Sequence, residues 1–470
     1  MKKITFLFLL TGFWAFGQNF VDVTGSLPQL SFGFSAWGDY DGDGDLDLYF
    51  TGGLNANSNG GGLYQNDNGT FTLVTNSGLP ILNTGAADWG DVDGDGDIDL
   101  VVMGYDNNVA VTDVYINNGN GTFSASDTGL LNSYMGDVSF ADYDSDGDLD
   151  IALTGIETTN WTFFSKIYVN DGSGNFTDAN LNLPPMNYGK FKFADYDADG
   201  DMDFVLNGWN SATNAPYTKI WQNDGNNNFI ATNLNLPQLW LGDVEWGDVD
   251  NDGDLDLVIN GTASSDSESH LLLNNGGTFT DDPHFSNVTP VHRVASIELA
   301  DFDNDGSLDI FIAGTNVVGS SEVKVAKLYN NNGSGVFTEN TNNTFTGVDY
   351  TDADSADYDN DGKVDLFYTG TDSNGFSNSK LYHNGPVNSV SEELAKKFTI
   401  YPNPAHDVLN IDNQNQFDYN ITISDLTGKS ILKQTAEGNT QIDVSNLPTG
   451  MYLVKISYHK DSFMQKLIIK

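Results

Sequence analysis

The sequence predicts an all-β protein: a seven-bladed β-propeller followed by a small C-terminal β-sandwich. Three observations carry this. A nine-residue acidic phrase, first met as Asp39-Tyr-Asp-Gly-Asp-Gly-Asp-Leu-Asp47, returns at Asp91–Asp99, Asp142–Asp150, Asp195–Asp203, Asp248–Asp256, Asp301–Asp309 and Asp357–Asp365, so that seven copies start 51 to 56 residues apart. Each copy runs into short apolar stretches separated by Gly- and Asn-rich turns, without helical periodicity. After Gly385 the strongly acidic composition gives way to a nearly neutral one, with six Lys against seven acids in residues 398–470.

The acidic phrase carries carboxylates at positions 1, 3, 5 and 9, and a glycine at position 6 for the sharp turn. Alternate side chains on a tight loop converge, and carboxylates so placed repel one another unless a hard cation lies between them. Calcium, which accepts six to eight oxygens, is the expected occupant, about seven ions in all, one per blade. The candidate ligands are Asp39, Asp41, Asp43, Asp45 and Asp47 in the first copy, and Asp91, Asp93, Asp95, Asp97 and Asp99 in the second. They continue as Asp142, Asp144, Asp146, Asp148 and Asp150, then Asp195, Asp197, Asp199, Asp201 and Asp203. The fifth copy offers Asp248, Asp250, Asp252, Asp254 and Asp256, and the sixth Asp301, Asp303, Asp305, Ser307 and Asp309. The seventh offers Asp357, Asp359, Asp361, Lys363 and Asp365. Ser307 and Lys363 stand where five copies have Asp, so position 7 is read as coordinating through its backbone carbonyl.

Other acidic loops fail on their own requirements. An EF-hand needs a bidentate Glu at position 12 between helices, yet position 12 here is Phe50 in an apolar, strand-like run. Dockerin loops fail at the same position. Thrombospondin-type repeats need cysteines, and the chain has none. Nonapeptide β-helix repeats need a Gly-Gly-x-Gly-x-Asp run that is absent. The D-x-D-x-D-G-x-x-D loop within a roughly 50-residue all-β repeat resembles the FG-GAP/VCBS repeat, the blade of integrin-α-like propellers; the resemblance covers residues 19–385.

In chain order, residues 1–17 read as a secretory signal peptide. Lys2 and Lys3 precede an apolar run, Ile4–Phe16, that ends in Ala15-Phe-Gly17. That run is too short to span a membrane, and no later stretch of 18 apolar residues exists. Without cysteines, bound metal is the expected staple for an exported protein. Net charge is −47, and the seven loops hold 33 of the 66 acids. Such a polyanion is not expected to bind nucleic acid or an anionic membrane, nor a polyuronate, which would need basic clamps.

Each repeat reads as four strands. In the first, Phe34–Gly38 enters the loop and Leu46–Thr51 leaves it; Leu63–Asn66 and Thr70–Val74 follow around a turn at Asp67-Asn-Gly69. The last repeat stops at Leu381-Tyr-His-Asn384 without a fourth strand, whereas Asn19-Phe-Val-Asp-Val23 begins the mature chain as an orphan of that missing piece. The N-terminal strand is therefore expected to complete blade seven and remove the open sheet edges.

Trp37, Trp89, Phe140, Phe193, Trp246 and Leu299, each two residues before a loop, read as packing between blades. Aromatics in segments that differ between copies are better ligand candidates: Trp161 and Trp209 after the second strand, and Tyr134, Tyr188 and Trp240 before the first. Because blade strands are antiparallel, both connections lie on the face opposite the acidic loops, and binding residues concentrate on loops held by a rigid scaffold. Asp88, Asp137 and Asp243 read as strand-end or turn residues. The six histidines show no nucleophile signature, so no catalytic residue and no further cofactor is assigned.

Residues 386–397 read as a linker and 398–470 as a sandwich of seven strands. Tyr401-Pro-Asn-Pro-Ala405, Leu426-Thr-Gly-Lys429, Leu447-Pro-Thr-Gly-Met-Tyr-Leu-Val-Lys-Ile456 and Lys466-Leu-Ile-Ile-Lys470 resemble the type A C-terminal sorting domain of type IX secretion cargo. That resemblance implies a Gram-negative host, the type IX machinery as a partner, and a destination outside the cell. The expectation is a non-catalytic binding or adhesion module for glycans or surface proteins. The alternatives are a polysaccharide lyase or glycoside hydrolase on a propeller scaffold, and a purely structural surface protein.

Overall fold

The computed structural model describes residues 18–55, 58–107, 109–263, 266–318, 321–385, 397–413, 418–425, 430–448, 450–458 and 461–470. The expected signal peptide, the linker up to Ala395 and Lys396, and the Leu426-Thr-Gly-Lys429 phrase lie outside them. The chain divides into two compact units, the first ending at Asn384 and the second beginning at Gly385.

The first unit is the expected seven-bladed propeller. Blade 1 is Ser31–Gly38, Asp47–Asn55, Ser58–Asp67 and Thr70–Leu73, hydrogen-bonded antiparallel in that order. The first strands of blades 2 to 7 are Asn83–Gly90, the pair Ser133–Tyr134 and Val138–Ala141, Met186–Ala194, Val244–Gly247, His292–Ala300 and Val348–Ala356. Each first strand packs against the first strands of both neighbouring blades, including the last against the first, so together they wall a closed central channel. A single bridge, Val325 to Val348, joins the sheets of blades 6 and 7.

The N-terminal strand Phe20–Asp22 pairs antiparallel with Ser377–Asn384 and supplies the fourth strand of blade 7. Phe20 packs edge-on against Phe302, with ring centroids 5.8 Å apart. Elsewhere Phe123 and Phe229 pack at a tilt against Tyr40 and Tyr143, and Phe279 stacks on Tyr196, these tyrosines being the second loop residues of the preceding blades. The aromatics before the loops pack between blades as expected: Trp37 stacks on Tyr358 at 6.0 Å, and the indole N–H of Trp246 donates to the Lys192 carbonyl.

A second tie between blades was not read from the sequence. The asparagine that ends each third strand donates its amide to the carbonyl of the second loop residue one blade back. Asn117 reaches Tyr40 at 2.8 Å, Asn170 reaches Val92 at 2.9 Å, Asn274 reaches Tyr196 at 2.7 Å and Asn331 reaches Val249 at 2.7 Å. Asn384 reaches Phe302 at 2.6 Å, and Asn66 closes the ring on Tyr358 at 2.7 Å. All are buried.

The second unit has the seven expected strands in two sheets. Phe398–Tyr401, Val408–Asn413 and Thr440–Asp443 form one; Ser430–Glu437, Asp418–Asp425, Gly450–Tyr458 and Asp461–Ile469 form the other. Their core includes Leu409, Ile411, Ile421, Ile423, Val454 and Ile456, all at 0–1% exposure.

Truncating Phe20 to Ala removes the ring that seals blade 7. Guanidinium unfolding should show a loss of about 3 kcal/mol; stability equal to the parent protein would contradict this account of closure.

Candidate functional site: seven acidic loops, a charged channel and its mouth

Six of the seven acidic loops share one hydrogen-bond pattern, and blade 2 varies it, with the Asp95 N–H donating to Asp93 at 3.3 Å. In blade 1 the position-1 carboxylate of Asp39 accepts from the N–H groups of Asp43 and Gly44, both at 3.0 Å, and Asp43 accepts from the N–H of Asp45. The same bonds recur in blades 3 to 7. Position 6 is left-handed throughout, at φ 86–99°, and so is position 4 at φ 56–74°, occupied by Gly42, Gly94, Ser145, Ala198, Asn251, Asn304 and Asn360. Glycine and asparagine are the residues that adopt this conformation at least cost, which explains five of the seven choices.

Position 9 is fully buried. Asp47 accepts from the Asn66 N–H at 2.7 Å and the Tyr40 N–H at 3.2 Å, and burial pushes its carboxyl up to about 7. At position 3, one carboxylate oxygen of Asp144, Asp197, Asp250 and Asp303 is buried without a hydrogen-bond partner. Burial, followed by repulsion from position 5, raises the affinity of Asp144, Asp197 and Asp250 for a proton. Carboxylate oxygens from positions 1, 3 and 5, as in Asp39, Asp41 and Asp43, lie within 4.8 Å of one another. Orphaned, buried anionic oxygens in an all-oxygen set fit a hard divalent cation.

Residues of the third strands complete these loops, although nothing in the acidic phrase points to them. Gln65, Gln222 and Asn330 donate to the second position-3 oxygen at 2.6–2.7 Å. Blade 7 puts His383 there, 3.3 Å from both Asp359 and Asp365.

The channel walled by the first strands is lined by charge. Asp88, Asp137, Asp243, Glu245, Glu298, Asp352 and Asp354 face only Lys190 and Lys192 across a cavity of about 450 Å³ and its walls. The reading of Asp88, Asp137 and Asp243 as strand-end residues is incomplete. Asp88 lies inside its strand, and all three tie one blade to the next by accepting the N–H of Phe140, Phe191 and Ile297 at 2.8–3.1 Å. Asp352 does the same for Ser35 at 2.8 Å. Lys192 pairs with Glu245, and Lys190 lies 3.7 Å from Asp137. Burial pushes Asp88 up to about 6, and Glu245 and Asp354 up to about 7. Burial and repulsion from Asp354 hold Glu298 well above the usual carboxylate range.

At the end away from the acidic loops, the first strands share a bulge that the sequence did not announce. Phe32, Thr84, Met135, Tyr188, Leu241, Val294 and Tyr350 are all left-handed, at φ 49–55°, and together line a cavity of about 120 Å³. The following residue sits against the second strand: a Cβ on Gly85 would lie 1.9 Å from the Met103 carbonyl, and one on Gly136 2.1 Å from that of Thr154. The bulge re-aims one side chain per blade toward the channel mouth.

The candidate ligand aromatics stand at different distances from this mouth. Trp209 and Trp240, from neighbouring blades, meet at 4.7 Å, and Tyr188 lines the mouth itself. Tyr134 is buried under Tyr105, stacked at 4.6 Å. Trp161 stands apart at the tip of a blade-3 connection, 63% exposed. On the same face Ser267 and His292, 25 residues apart, meet at 2.9 Å. The same hydroxyl lies 3.3 Å from the Thr315 carbonyl, to which it can also donate.

A family model described as an FG-GAP-like repeat matches residues 39–102, 91–153, 195–259 and 261–312, and one described as a secretion system C-terminal sorting domain matches residues 399–470. No curated protein matches the chain. Among solved structures, the V. cholerae biofilm matrix protein Bap1 is 13% identical with a TM-score of 0.33, covering 84% of this chain and 67% of its own. AofleA from Arthrobotrys oligospora is 11% identical with a TM-score of 0.36, covering 78% and 90%. Sucrose-6-phosphate hydrolase from Lactobacillus gasseri is 12% identical with a TM-score of 0.31, covering 82% and 86%. These distant likenesses bear on no function.

The channel charges give a pH dependence with a definite sign. Asp88, Glu245 and Asp354 bind protons more tightly in the folded chain than their ordinary values near 4, so they destabilise it as they ionise. Stability from this source is present below about pH 4 and is lost as pH rises toward about 7. Asp354→Asn should melt higher than the parent protein above neutral pH, by roughly 1–3 kcal/mol, and alike near pH 4. Parallel melting curves across that window would contradict it.

Proposed function

The chain is a β-propeller of the FG-GAP-like repeat family that ends in a type IX secretion sorting domain, and from this premise we propose that it is a calcium-braced, non-catalytic binding module working outside the cell. The sorting domain places the mature protein at the outer surface, or in the surroundings, of a Gram-negative bacterium. Among the described residues no helix is long and apolar enough to cross a membrane.

Division of labour between the two faces carries the proposal. Six of the seven acidic loops repeat the same bonds on one face, where sameness suits a structural metal. Side chains that differ from blade to blade collect on the other, where the Trp209–Trp240 pair, Tyr188 and the exposed Trp161 offer planar apolar surfaces around a polar rim. Sugar rings present apolar faces between hydroxyls, so a glycan is the ligand class that suits such platforms.

In the cages, the ligands would be the carboxylates of positions 1, 3, 5 and 9 with the position-7 carbonyl, and calcium would neutralise oxygens that have no partner within the chain. An ion held at about a hundred times its dissociation constant stabilises the fold by roughly 2.7 kcal/mol per site. A chelator should therefore lower the melting temperature steeply, and calcium should restore it more effectively than magnesium. A melt indifferent to both ions removes calcium from the proposal.

Ligand class is tested by a glycan array run beside product assays on the same polysaccharides. The expected outcome is saturable binding without turnover, weakened about ten-fold or more by Trp209→Ala. Reducing ends or unsaturated products that disappear on substituting one acid of the open face would replace this reading with an enzymatic one. Removing residues 398–470 should leave a folded propeller in the periplasm; its normal export would refute the role of the tail.

A further inference from the structure

We infer that the channel mouth is a seat for a primary ammonium group carried on an unbranched aliphatic stem, such as a lysine side chain of a protein ligand. The inference is independent of what the outer aromatic rim binds.

Shape comes first. The bulged residues form a narrow collar, half-buried and mostly apolar, around a cavity of about 120 Å³. Phe32 and Tyr350 lie against each other at 4.4 Å, and Tyr188, from blade 4, lines the collar across from them. A cavity of this size admits an alkyl chain. Left-handed φ is costly for aromatic and β-branched residues such as Tyr188, Tyr350 and Val294, and backbone so strained is concentrated where a fold positions side chains for use.

Charge comes second. Asp352 and Lys190 line the cavity, and the carboxylates of Asp137 and Asp243 act on the same ammonium, an excess of two negative charges. Deeper in, Asp88, Glu298 and Asp354 line the channel with Lys192, which pairs with Glu245. An anion entering the mouth would meet this field and the net charge of −47 behind it. A hydrated metal ion would gain nothing from an apolar collar, whereas a stem-borne ammonium satisfies collar and carboxylates together, with added attraction from the aromatic faces.

The third observation is an orphaned hydroxyl, whose oxygen is free to accept from an ammonium. Thr351, 4% exposed, lies on the cavity wall, and its hydroxyl has no hydrogen-bond partner within the chain. Buried hydroxyls are ordinarily paired, and one left over in the wall of a cavity marks a place that a ligand or its water completes.

The test uses the full chain saturated with calcium at neutral pH and the probes n-butylammonium, 1-butanol, butyrate and methylammonium, followed by calorimetry and saturation-transfer NMR. Butylammonium should bind saturably, with the alcohol, the carboxylate and the stemless amine each about ten-fold weaker or worse. Asp352→Asn keeps an acceptor for the Ser35 N–H while removing the charge, and should weaken butylammonium by about ten-fold. If that variant does not fold, the four probes on the unaltered protein decide the matter alone. Equal binding of butylammonium and butanol, absence of saturable binding, or indifference to Asp352→Asn in a folded variant would overturn the inference without touching the glycan reading.

Discussion

Two buried residues per blade hold the propeller together: the aspartate that ends each acidic loop and the asparagine that ends the third strand. The aspartate accepts the asparagine's N–H, as Asp150 does from Asn170 at 2.8 Å, and the asparagine's amide grips the carbonyl of a loop one blade away. The shape of a loop and the joint between two blades are therefore one hydrogen-bonded unit. Because both groups are out of water, leaving either unpaired costs more than the bond itself contributes. Any cation held by the loops acts at these joints, so filling the cages and closing the ring are physically coupled.

That arrangement concentrates repetition on one face and frees the other. The loop bonds and the asparagine joints lie at the acidic end. The opposite connections carry no such obligation and vary in length, chemistry and exposure. Between the two faces runs a channel whose carboxylates serve as staples and also leave a negative field. Asp88, Asp137, Asp243 and Asp352 accept backbone N–H groups across blade boundaries, which is why so much charge is tolerated there. Lys190 and Lys192 offset only part of it.

Legibility followed periodicity. The acidic phrases, the strand order around them and the fourth-strand Phe of each blade stood out because each recurs at a fixed offset, and Phe20 was recognisable as the piece missing from blade 7. Features without a chemical signature of their own were not readable. The third-strand asparagines recur just as regularly, yet an Asn before a turn looks like turn chemistry until its partner across the blade boundary is seen. Asp88 looked like a strand end because the strand containing it begins earlier, at Asn83, than its apolar residues indicate. Ser267 and His292 come together through the adjacency of blades 5 and 6.

By itself, then, the amino-acid order determined the number of blades, the place of the ring's closure, the acidic loops and the sandwich that follows, because each depends on local residue patterns repeated along the chain. Tertiary structure alone decided what faces the axis. Which side chains meet in a channel depends on seven first strands brought together from positions more than 300 residues apart, and on left-handed bulges at residues as unlike as Phe32, Thr84 and Val294. Those bulges come from the curvature a strand needs at a narrow axis, a property of the closed ring that no single repeat carries.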